Sequence, residues 1–117
     1  MVSYKIKRIY EATGEHDGFR VLIDRLWPRG IKKDDAHIDL WLKDLAPSTD
    51  LRKWFSHDDE KWLDFELRYQ AELNSNSELK EIIHDFKQHK EITLLYAAHN
   101  KEHNNAVVLK EYLEKKA

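Results

Sequence analysis

The chain of 117 residues contains no cysteine. That excludes disulfides, thiolate nucleophiles and cysteine-ligated zinc, and it fits a reducing compartment. Proline and glycine are scarce, at two and three, so short connections are expected and there is no linker or low-complexity tract. No Gly-rich phosphate loop, G-x-S-x-G elbow or H-E-x-x-H motif occurs. No apolar run approaches the length of a membrane span. The opening residues, Met1-Val2-Ser3-Tyr4-Lys5, lack the apolar core of a signal peptide, and a cytoplasmic protein without a membrane partner is expected. Charge is balanced as well: 20 basic against 22 acidic residues leave a net charge of −2. A general nucleic-acid binder carries a basic field, so an anion or nucleic-acid contact must here rest on a local patch. The length supports one core, and residues 1–117 are read as one domain. The composition specifies neither a cofactor nor an oligomeric state.

What is present is a pair of apolar strands. Phe19 to Leu26, through its Val21-Leu22-Ile23 run, and Ile92 to Ala98 lack alternation, as strands buried on both faces do. Tyr4, Ile6 and Tyr10 describe a first strand with one wet face. Ile38 to Leu45 fits both a period of two and a helical period. Asp50 is expected to cap a short helix ending at Phe55. Ser56 with Asp59 reads as a capping box for a helix from Asp59 to Leu73, striped by Trp62, Phe65, Tyr69 and Leu73. Ser75 with Glu78 reads as a second box, for a helix that turns Leu79, Ile82, Ile83 and Phe86 inward. Asn104 or Asn105 opens a last helix with Ala106, Leu109 and Leu113 on one side. Apolar strands separated by helices predict an α/β fold, a mainly parallel sheet of about four strands with helices on both faces.

The first apolar run ends in Asp24-Arg25-Leu26-Trp27-Pro28-Arg29-Gly30. Pro28 restricts the backbone and Gly30 permits a sharp turn, so a stiff loop should hold charged groups at the carboxyl end of a strand, where open α/β sheets place their sites. The second run ends at His99-Asn100, shortly before the last helix begins. If the two strands are parallel neighbours, His99 and the Asp24 loop share one edge. A helix start and arginines together cradle phosphate or carboxylate. Asp24 and His99 are the candidate proton-transfer pair; Arg25, Trp27, Arg29, Lys43, Arg52 and Asn105 are the candidate ligand contacts, with Lys32 and Lys33 as further positive charge. The bland alternative pairs Asp24 with Arg20 or Arg25 and leaves His99 on the surface. The four-residue spacing of His99 and His103 spans a loop and a helix start and is not read as a metal site. His57-Asp58-Asp59 is read as capping chemistry.

The stretch Asp24 to Lys33 resembles the signature of the YeaO-like branch of the family named domain of unknown function 488. The likeness continues through Lys43-Asp44-Leu45-Ala46-Pro47-Ser48, Leu51-Arg52-Lys53-Trp54-Phe55, Thr93-Leu94-Leu95-Tyr96-Ala97-Ala98 and Ala106-Val107-Val108-Leu109, in order along essentially the whole chain. The resemblance favours a strand within Ile38 to Leu45. It also marks a departure. The branch is expected to read Asn-His-Ala where this chain has Asn104-Asn105-Ala106, so no imidazole stands at that position here.

Three functions are compatible with these residues. One is a small enzyme acting on a phosphorylated or otherwise anionic metabolite such as a nucleotide. The second is a non-catalytic module binding an anion or nucleic acid, and the third is a protein-interaction domain. An enzyme needs Asp24 or His99 inside a pocket with a shifted pKa. A nucleic-acid binder needs its arginines and lysines on an open basic surface.

Overall fold

The two apolar runs become β2 (Phe19–Leu22) and β4 (Glu91–Tyr96), and the half-wet first segment becomes β1 (Ser3–Arg8). A strand of only two residues, β3 (Leu40–Trp41), completes the sheet in the computed structural model, which describes residues 2–116. All pairings are parallel and the spatial order is β1-β4-β2-β3. β2 and β4 are thus the central neighbours, with Val21 opposite Leu94 and Leu22 opposite Leu95, all four fully buried. Two-sided burial is what apolar runs without alternation predict. The ladder extends one residue beyond β2, where the Ile23 N–H donates to the Leu95 carbonyl at 3.1 Å. The strand stops short of Leu26, because the backbone beyond Ile23 turns away to form the polar loop.

The helices are α1 (Lys33–Ala36), α2 (Thr49–Phe55), α3 (Trp62–Asn74), α4 (Leu79–Phe86) and α5 (Asn105–Lys115). The stripe of Trp62, Phe65, Tyr69 and Leu73 packs with Leu79, Phe86, Leu109 and Leu113 over one sheet face formed by Tyr4, Val21, Ile92 and Leu94. Each large apolar side chain so buried contributes roughly 1.5–3 kcal/mol before chain entropy is charged against it. The other face is thinner. There Leu22 and Leu95 meet Ile9, Trp27, Ile31, Ile38 and Trp41, most of them from the β2–β3 connection that includes α1. Arg20, on that face, fastens the connection: its Nε donates to the His37 carbonyl at 2.9 Å and one terminal nitrogen to the Ala36 carbonyl at 3.0 Å. Its guanidinium also pairs with buried Asp17. Gly18 follows at φ +66°, where an added Cβ would lie 2.4 Å from the Glu91 carbonyl oxygen, so only glycine fits.

Several expected helix starts are displaced. Ser48, not Asp50, caps α2: its Oγ accepts from the Leu51 N–H at 3.1 Å. Glu72 of α3 holds that cap from behind, accepting from the Ser48 N–H and hydroxyl at 2.8 and 2.6 Å. Ser56 ends α2 in the left-handed region instead of opening α3, and Asp58 caps a single 3-10 turn, Asp59–Lys61, through the Glu60 N–H. The Ser75–Glu78 box does not form, because Ser75 closes α3 and the Asn76 side chain takes the Glu78 N–H. Ile82 and Ile83 are half-buried. Ile38 to Leu45 divides between β3 and a 3-10 turn, Lys43–Leu45, which accounts for its mixed periodicity. Asn104 caps α5 by accepting from the Val107 N–H at 3.1 Å. Among the described residues no helix is long and apolar enough to cross a membrane.

Candidate functional site

Because β2 and β4 are parallel neighbours, their carboxyl ends lie at one sheet edge, and the start of α5 follows from β4. A cleft of about 660 Å³ opens there. Asp24 and Asn105 line it together. One Asp24 carboxylate oxygen accepts from the Ala97 N–H at 2.9 Å, the other from the Asn105 side-chain amide at 2.9 Å. The same amide nitrogen donates to the Ile23 carbonyl at 3.0 Å, tying α5 to the end of β2. The Asp24 carbonyl in turn accepts from the Trp41 indole at 2.7 Å. Burial raises the Asp24 pKa above the ordinary carboxyl value. The Asn105 and Ala97 donors and the positive charges of His57 and Arg52 oppose that shift without cancelling it. The expected alternative, a pairing of Asp24 with Arg20 or Arg25, is overturned: Arg20 is engaged by Asp17, and Arg25 by backbone carbonyls.

Three arginines, Arg25, Arg29 and Arg52, bring positive charge to the cleft. His57, His99 and His103 line it as well, and Asp24 is the single carboxylate of the lining. Among the described residues no acidic side chain forms an ion pair with any of the three arginines. Arg25 is the most fixed, its Nε donating to the Pro47 carbonyl at 3.1 Å and a terminal nitrogen to the Ala46 carbonyl at 3.3 Å. Arg29 and Arg52 are exposed. The Tyr10 hydroxyl donates to the Arg29 carbonyl at 2.9 Å and so pins the loop that carries it. Phe55 and Phe65, stacked with centroids 4.3 Å apart, add an apolar flank. Trp27 lines the cleft too, with its indole N–H satisfied by the Ile31 carbonyl at 2.7 Å and its ring edge-on to Trp41.

Not every expected contact arrives. Lys43 lies outside the cleft lining, its ammonium 4.1 Å over the Trp41 ring. Lys32 and Lys33 are exposed beside Asp34 and Asp35 of α1 and do not line the cleft. His99 lines it from an exposed position, with no hydrogen bond to Asp24. Other residues enter that the sequence did not single out for ligand contact. His57 lines the cleft at φ +58°, directly after Ser56 at φ +45°. His103 lines it with its Nδ1 2.9 Å from Asp59 and its ring stacked on Trp62. Arg8 holds the far end of β4, donating from Nε to the Ala98 carbonyl at 2.8 Å. Asn100 carried a readable signal, since an Asx turn places its Oδ1 on the Glu102 and His103 N–H groups. His57 carried none.

A family profile described as "Inactive DUF488-N3 subclade" matches residues 3–117. The chain is 40% identical over 112 residues to the uncharacterized protein YeaO of Escherichia coli K12, covering 96% of this chain and 97% of that one. It is 46% identical over 78 residues to the uncharacterized protein Rv3073c of Mycobacterium tuberculosis H37Rv, covering 67% of this chain and 66% of that one. No solved structure matches the chain. Family profile and near-full-length identity agree with the signature that begins at Asp24: the chain belongs to the YeaO-like DUF488 family, in its inactive DUF488-N3 subclade.

Proposed function

We propose that this chain is a non-catalytic binding module for a small anionic ligand, held in the cleft at the strand carboxyl ends and acting in the cytoplasm. One observation carries the reading: three arginines and three histidines line a single cleft against one carboxylate. Arginines held together without acidic partners repel one another, and an anion removes that cost. The volume suits a small molecule. Phe55, Phe65 and Trp27 offer apolar and aromatic surface beside the charge, which favours an anion bearing a ring, such as a nucleotide. The absence of turnover is supported by the subclade description and by Asn105, an amide that cannot relay a proton, set against Asp24. Nucleic acid is the weaker partner, because Asp34 and Asp35 interrupt the positive charge of Lys32 and Lys33.

One observation favours turnover instead: a carboxyl of raised pKa inside a cleft is the arrangement of a proton-transfer residue. In that second reading Asp24 and His99 move the proton while Arg25, Arg29 and Arg52 hold the anionic group. Calorimetric titration with inorganic phosphate, pyrophosphate and adenosine monophosphate tests the first reading. Saturable binding that weakens with Arg29→Ala is expected. If the wild-type protein binds none of the three, the anion site is refuted. Conversion of the nucleotide on prolonged incubation, followed by NMR and lost in Asp24→Asn, would establish the second reading.

A further inference from the structure

We infer that His103, oriented by Asp59, is a direct ligand contact of the cleft, presenting Nε2 to an anionic oxygen; this rests on the anion-binding reading above. Four features fix the imidazole. Its Nδ1 lies 2.9 Å from Asp59 Oδ1. A carboxylate can only accept, so Nδ1 carries the proton and Nε2 is the free ring nitrogen. Nε2 has no partner among the described residues. The ring lies nearly parallel to Trp62, 18° between planes and 4.6 Å between centroids. The backbone beneath it is held as well, since the His103 N–H donates to Asn100 Oδ1 at 2.9 Å. Asn100 in turn donates to the same Asp59 oxygen at 3.2 Å.

A surface histidine needs none of this scaffolding. Two side chains and a backbone turn combine to set one ring at the edge of a cleft already rich in cations. With Asp59 on Nδ1, the ring nitrogen left to meet an anionic oxygen is Nε2, which binds it as a donor when it carries a proton. Asp59 touches no ligand in this scheme; it is a positioning residue.

Two substitutions separate contact from scaffold. In His103→Asn the side-chain amide reproduces the Nδ1 donor to Asp59 and removes the Nε2 contact. In His103→Gln an amide reaches the Nε2 position. With pyrophosphate as the probe, His103→Asn is expected to fold, with a midpoint lowered only by the lost Trp62 stack, and to bind about tenfold or more weakly, the loss typical of a charge-assisted hydrogen bond. His103→Gln should recover part of that affinity. In the wild type, the His103 Nε2 resonance should move on titration while the Nδ1 resonance stays near its ligand-free position. Equal affinity in wild type and His103→Asn, or an unmoved Nε2 resonance at saturation, would overturn the assignment and leave the anion site standing. No pyrophosphate binding by the wild type would overturn both.

Discussion

Replacing Asn105 with alanine tests the centre of the site, because one amide nitrogen serves two acceptors there. The contact with the ionised Asp24 carboxylate, at 2.9 Å, is charge-assisted and worth about 1.5–3 kcal/mol, and the contact with the Ile23 carbonyl, at 3.0 Å, about 0.5–1.5 kcal/mol. Alanine returns up to about 0.7 kcal/mol of helix propensity. Water entering the open cleft satisfies part of what is left unpaired. The expected net loss is therefore about 1–3 kcal/mol, or a Tm lower by roughly 4–6 °C for each kcal/mol. The pH dependence sharpens the test. The folded pKa of Asp24 lies above its unfolded value, so the folded state binds the extra proton. The stability that this group contributes is fully present at low pH and is lost as pH rises from the unfolded value through the raised folded one. Losing the Asn105 donor raises the folded pKa further. The deleted bond was made to the ionised form, so the mutational penalty should be greatest above the folded pKa and shrink as both variants protonate. Urea unfolding followed by tryptophan fluorescence, run from about pH 8 to about pH 4, measures this directly. A penalty that is constant across that range, or below about 0.5 kcal/mol throughout, would refute the coupling of Asn105 to Asp24.

Three further outcomes are expected. Gly18→Ala should cost at least about 2–3 kcal/mol in a thermal melt, because its Cβ meets the β4 backbone at Glu91 and its φ is left-handed; an unchanged Tm would contradict that geometry. Tyr69→Phe should cost about 1–3 kcal/mol by chemical denaturation, since the fully buried Tyr69 hydroxyl donates to the Leu45 carbonyl at 2.5 Å; a neutral result would contradict that bond's contribution. Arg29→Ala should weaken phosphate binding at unchanged stability, whereas Arg25→Ala should also destabilise by about 1–2 kcal/mol through its two carbonyl contacts; equal stability losses in the two variants would place both arginines in the scaffold.

The central pair of strands was legible because burial on both faces leaves a pattern no other environment produces: Val21-Leu22-Ile23 and Ile92 to Tyr96 read as they fold. The stripe on α3 was legible from its aromatic residues at helical spacing, Trp62, Phe65 and Tyr69, although Leu63 and Leu67 of the same helix stay exposed. Helix caps were less so. Ser48 and Asp50 are both good cap residues, and Glu72, distant in sequence, decides between them. Of the site, Asp24 and Arg29 were visible because the loop interrupts an apolar run. Lys43 was misplaced because the short β3 and the turn after it direct its ammonium onto Trp41. His57 reaches the cleft through two successive left-handed residues, neither of them glycine, and no local rule anticipates that backbone.

The brevity of β3 and the composition of β1 bear on how copies of this chain meet. A sheet margin with free N–H and C=O groups is a template for strand addition by a second molecule. One margin here is only two residues long, too short to seat an incoming strand. The other carries Lys5 and Lys7, whose ammonium groups are drawn towards Glu91 and Asp17, so an approaching strand meets charge along its length. Both devices disfavour the edge-to-edge stacking that seeds fibrils. Strand addition is therefore disfavoured at both margins of this sheet, which leaves its helix-covered faces and the cleft as the surfaces a partner would meet.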